Sequence, residues 1–180
     1  MDVRLAVPTL LMTVAVVLTS AVDSALQPGE GFTLTPRQGS FALVSLSGPL
    51  GESPSLGWGD PPQGTRGFVL VAEDLDAPTG ERLIWAVWNI PAHARALDAG
   101  LPRVAATEEG LRQAVAPDGL PGFLAPGIPA ALDHRLRFTL FAVERPIMLR
   151  SDAIGGEVMV AASSAMRGAA HWHAGGGWAR

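Results

Sequence analysis

Asp74 and Asp76 close a long apolar run, Phe68 to Ala72, and lie just ahead of Pro78. Carboxylates two positions apart point the same way if the strand continues through Asp76. Paired acids of that kind move protons or hold positive groups. A local reading competes with this one: Asp is a turn former, and either side chain can cap backbone N–H groups where the chain reverses. The other candidates are His134 with Arg135, and His171 and His173 on either side of Trp172. If the fold joins them, His134 and Asp74 make a hydrogen-bonded acid–base pair. A hydrolase also needs a nucleophile, yet Gly-x-Ser-x-Gly does not occur and the chain has no cysteine, so a triad is unsupported. Alternating histidines on a strand share a face and can chelate copper or zinc. With only two ligands and no nearby carboxylate, His171 and His173 read instead as part of a solvated, Gly-rich tail. No metal site and no cofactor is expected.

The elements that must position these groups are short strands. Phe68 to Ala72 is apolar at both alternating sets of positions, which predicts a strand packed on both sides. Asp74 to Gly80 is a turn, and Leu83 to Ile90 resumes with Trp85, Val87 and Trp88, a second strand. Leu136 to Val143 alternates as a third. Phe32 to Thr35 and Phe41 to Leu46 are further strand candidates, and Gly48 to Gly67 reads as loop anchored by Trp58. Helical turns are expected near His93 to Leu97 and Thr107 to Ala114, and Glu157 to Ala170 reads as a helix leading into a strand. Short strands between Gly/Pro turns predict a mainly β fold, an antiparallel β-sandwich with a few short peripheral helices.

The 180 residues suit one domain, and a 48% hydrophobic composition provides a sizeable core. Net charge is -4 with no long run of Lys or Arg, which argues against a nucleic-acid partner. Residues 1–27 read as a signal peptide or N-terminal anchor: Arg4 precedes an apolar run from Leu5 to Val22, and Thr19-Ser20-Ala21 offers small residues for cleavage. That run is close to the lower limit for spanning a bilayer, about 17 residues. The expected location is periplasmic or secreted, with membrane contact only through an uncleaved leader.

Four stretches, in order, resemble a known family. Ser53-Pro54-Ser55-Leu56-Gly57-Trp58, the Asp74-Leu75-Asp76-Ala77-Pro78 turn, Ile84-Trp85-Ala86-Val87-Trp88-Asn89-Ile90-Pro91 and His134-Arg135-Leu136-Arg137-Phe138-Thr139-Leu140-Phe141-Ala142 are similar to motifs of the phosphatidylethanolamine-binding proteins, especially the bacterial Raf-kinase-inhibitor-like branch. The resemblance covers most of the chain and implies residues 28–180 as one domain: a central antiparallel sandwich with a few peripheral helices and a small anion pocket at the sheet's end. Asp74, Asp76, Pro78 and His134, with Arg135 beside it, match the pocket motifs. Ile84, next to Trp85, stands where the family has a histidine, Leu136 replaces a tyrosine, and Trp178 falls at the final tyrosine. Leu124-Ala125-Pro126 corresponds loosely to a further pocket loop. Half of the polar lining is therefore apolar. This implies a non-enzymatic module for a small anionic or amphipathic ligand, or for a protein partner not yet identified, with a degenerate anion pocket. The alternative is an envelope hydrolase using the His/Asp pair or a metal.

Overall fold

The computed structural model describes residues 31–37, 52–78, 80, 82–126 and 134–175. Its organising strand is β3, Gly67–Asp74, in which all seven residues after Gly67 are buried. Phe68, Leu70 and Ala72 enter one apolar cluster, while Val69 and Val71 enter another on the opposite face. The double-sided run in the sequence thus produces a strand with a core on each side.

The strands β1 (Leu34–Pro36), β2 (Leu56–Trp58) and β5 (Ala96–Leu97) form a small sheet in the order β1-β2-β5. The larger sheet runs β6 (Arg112–Gln113), β4 (Arg82–Pro91), β3, β7 (Arg135–Val143), β8 (Met166–Gly175), with antiparallel pairing throughout. Phe32, Leu34, Leu56, Trp58 and Leu97 from the small-sheet side pack on Phe68, Leu70 and Leu140. The Trp58 and Phe68 rings are 5.4 Å apart. The other face of the large sheet is covered by α1 (Gly155–Ser164), which buries Val158 and Ala162, one turn apart, against Val69, Val71, Ala86 and Trp88. Ile154 starts this helix without a capping side chain, and Glu157 reaches back to accept its N–H at 3.0 Å.

The fold is the expected antiparallel sandwich, with differences in detail. Among the described residues there is one helix rather than several. The expected turn of helix at His93 to Leu97 is a hydrogen-bonded turn closed by Ala94 N–H on the Pro91 carbonyl, followed by β5. Thr107 to Ala114 likewise contains β6 instead of helix. The expected loop from Gly48 to Gly67 contains β2, and the expected Gly-rich tail is the ordered strand β8 as far as Gly175. In each case pairing partners distant in sequence decide: β2 lies between β1 and β5, and β8 pairs along its length with β7. The strand candidate Phe41 to Leu46, the leader and Trp178 lie outside the described residues.

Two irregularities in β4 shape the sheet ends. Ala72 pairs with Trp85 but Glu73 with Leu83, so Ile84 is an extra residue. Phe68 pairs with Ile90 but Leu70 with Val87, which places a second bulge at Trp88 and Asn89. Asn89 has φ 60°, the left-handed conformation that Asn tolerates better than most residues.

Candidate functional site

β3 ends at Asp74, and the next residues turn: Asp74 Oδ1 accepts the N–H of Asp76 at 3.1 Å. The strand does not continue through Asp76, so the two carboxylates diverge. Asp74 thus fills the expected turn-capping role, and each acid has a separate side-chain partner. Asp74 contacts His134 Nδ1 with both oxygens, at 2.9 and 2.8 Å. The side chains are 7% and 17% exposed, so the pair is largely shielded from water. Asp76 instead makes a fork with Arg135, at 2.9 Å to Nε and 2.7 Å to an Nη, and accepts the Arg135 backbone N–H at 2.7 Å. Those hydrogen bonds hold the Asp76 carboxyl well below the ordinary carboxylate range and raise Arg135 above its own.

The Asp74–His134 pair borders a cavity of about 240 Å³. Ala77, Pro78, Ile84, Leu124, Ala125 and Pro126 supply its apolar wall, and Arg82 and Asp118 complete it. The Ile84 bulge turns this side chain to the cavity and leaves its carbonyl to accept the Leu124 N–H at 2.9 Å, which ties the outer loop to β4. Trp85, one residue on, is buried in the core, where its Nε1–H donates to Gln113 Oε1 at 2.9 Å. Of the candidate residues, Asp74, Pro78, Ile84 and His134 meet at the cavity. Asp76 and Arg135 are paired beside it, Trp85 lies behind it, and Trp178 is outside the described residues.

Arg82 and Asp118 were not candidates. Arg82 faces Asp74 across the β3–β4 ladder, a position visible only once the bulge has set the register. Asp118 belongs to a Pro-Asp-Gly turn, and its bidentate contact with Arg103, at 2.7 and 2.8 Å, links residues far apart in sequence. The Arg103 hydrogen bonds hold the Asp118 carboxyl below its ordinary value.

A second polar set lies on the face of the large sheet that α1 only partly covers. Glu73 is buried and bonds Arg137 at 2.8 and 3.0 Å. Next along β7, Thr139 Oγ1 lies 3.0 Å from His171 Nδ1, and His173 stands opposite Arg137 in the β7–β8 register. Burial first, with the charges of Arg137 and His173, pushes the His171 imidazole down from its usual value, while Glu73 opposes the shift. His93 is exposed. Among the described residues no group of three His, Asp or Glu side chains converges as a metal site.

The fold and this mouth define a class: a β-sandwich module with a small cavity where its central strands end. The family model described as phosphatidylethanolamine-binding protein matches residues 23–175, and the chain belongs to that family. It is 38% identical over 92 residues to a UPF0098 protein of Aquifex aeolicus, covering 51% of this chain and 53% of that protein. It is 37% identical over 94 residues to the UPF0098 protein YbhB of Escherichia coli, covering 51% and 60%. The matched stretch thus spans little more than half the length of these relatives. The crystal structure of E. coli YbcL, described as a new member of the mammalian PEBP family, superposes with TM-score 0.68 at 26% identity, covering 79% of this chain and 96% of that one.

Proposed function

We propose that this chain is an exported, non-enzymatic binding module that takes a small neutral or amphipathic ligand at the Asp74–His134 mouth and holds phosphate poorly. The observation that carries this reading is the double contact of Asp74 with His134 Nδ1. With Nδ1–H donating to the carboxylate, the neutral imidazole has only Nε2 left, an acceptor. That suits a ligand hydroxyl or N–H; it does not suit a phosphate oxygen, which needs converging donors. Ile84 supplies no donor, Asp118 is already held by Arg103, and the guanidinium of Arg82 lies across the ladder from the Asp74 carboxylate. The remaining wall is apolar, as in sites for small organic ligands. The family's name points to a lipid headgroup; this lining argues for a changed preference. A hydrolase would need a nucleophile beside the pair, and the sequence offers no nucleophile elbow. Export rests on the Leu5 to Val22 run.

A thermal-shift screen of the full-length protein tests the ligand class, since a ligand bound to the native state raises its melting point. Small apolar alcohols and amides should raise it more than phosphate or O-phosphorylethanolamine do, and His134→Ala should abolish the difference. Stabilisation by phosphate alone would overturn the reading.

A further inference from the structure

His171 and His173 gain a meaning from the fold that their sequence context withheld. They belong to the ordered strand β8 and alternate with Trp172, which packs inward against Phe138 at a ring separation of 5.2 Å. Both histidines are exposed on the opposite face. Strand geometry separates their Cα atoms by about 7 Å, close enough for two imidazoles to converge on one ion at ~2.0 Å per ring nitrogen. His171 is held in place: Thr139 Oγ1 sits 3.0 Å from its Nδ1, and with Nδ1–H donating to the hydroxyl oxygen, Nε2 keeps the lone pair that a metal ion needs. A hydrogen-bond acceptor on one ring nitrogen, leaving the other to the metal, is how ligating histidines are oriented, and the Thr139 hydroxyl oxygen can serve as that acceptor. The nearest cation, Arg137, is matched by the carboxylate of Glu73 at 2.8 and 3.0 Å, so the neighbourhood is not simply repulsive to a metal ion.

We propose that His171 and His173 form a two-histidine chelate on the face of β8 for a divalent transition metal, with water in the remaining positions. Among first-row divalent ions, Cu(II) binds nitrogen ligands most tightly and suits imidazole. The site is separate from the Asp74–His134 mouth, which lies at the end of β3 and draws on none of the same residues. Thr139 acts as a positioning residue through His171.

The test is a Cu(II) titration of the full-length protein, followed by calorimetry and by electron paramagnetic resonance. The expected result is one ion per chain, with nitrogen hyperfine structure from two imidazoles. His171→Ala and His173→Ala should each lower affinity at least about tenfold, and Thr139→Val should lower it less while keeping the stoichiometry. His93→Ala should change nothing. Melting curves of the metal-free variants check that the exposed histidine substitutions and the one at buried Thr139 leave the fold intact. Equal Cu(II) binding by the double variant His171→Ala/His173→Ala, or a loss on His93→Ala, would overturn the proposal.

Discussion

The two ends of the central sheet have much in common. At one, β3 finishes at Asp74 beside the Ile84 bulge of β4, and a cavity of about 240 Å³ opens. At the other, β3 begins at Gly67 beside the Asn89 bulge of the same strand, and a cavity of about 280 Å³ opens among Phe68, Ile90, Pro91, Val143 and Met148. Size and backbone irregularity therefore do not distinguish them. Charge does. The first end shields a carboxylate and an imidazole in mutual contact, with Arg82 and Asp118 at the rim. The second has a single charged residue among the described lining, Arg66, which is exposed. A strand bulge makes room, but a chemical site needs polar groups that the protein has removed from water and paired.

The largest effect should come from the strand shared by both ends. Leu70 is fully buried midway along β3. Leu70→Asp should cost about 3–5 kcal/mol, the order of an uncompensated buried charge, read from urea denaturation. A loss below about 1 kcal/mol would mean that β3 does not organise the two ends. His134→Ala comes next. It leaves the Asp74 carboxylate with the Asp76 N–H but without the imidazole and should cost about 1–3 kcal/mol in the same assay.

At the opposite end the cost should be conformational rather than electrostatic. Asn89 has a left-handed backbone and an exposed side chain. Asn89→Ala should destabilise by about 1 kcal/mol, whereas Asn89→Gly should be close to neutral. If both substitutions were equally damaging, the Asn89 side chain would carry a contact, and the contrast between the ends would weaken.

The smallest effect concerns acid titration of the loop that walls the first cavity. Asp118 titrates below its ordinary value of 3.8 because of Arg103. A lowered carboxylate contributes stability that is present above its unfolded value and is lost as pH falls through its folded value. Arg103→Met should move the Asp118 midpoint up towards the ordinary value, as followed by carboxyl-carbon NMR, and should remove that acid-side contribution.

Much of this was legible in the residues. The apolar runs at Phe68, Leu83 and Leu136 gave β3, β4 and β7, and the Ala-rich stretch from Glu157 led from helix to strand as read. The strands β2, β5 and β6 were not legible, since each has three residues or fewer and exists only because a distant partner pairs with it. At the site, Asp74, Ile84, His134 and the Leu124 to Pro126 loop were identifiable from motif positions, and they do meet. Arg82 was hidden because an alternating pattern does not reveal a bulge. Trp85, next to the pocket position Ile84 in sequence, pairs in regular register with Ala72 and puts its indole in the core. Asp76 and Arg135 pair with each other, a choice that depends on where β3 stops.

The proposed binding preference turns on the Asp74–His134 mouth lacking the donors that a phosphate needs, chiefly at Ile84. Calorimetry with phosphate and with O-phosphorylethanolamine, on the unmodified protein and on Ile84→His, tests it most directly. Weak or undetectable binding is expected for the unmodified protein. A clear gain is expected for Ile84→His, largest at mildly acidic pH, where imidazole is protonated and donates from both nitrogens. Tight, His134-dependent phosphate binding by the unmodified protein would contradict it.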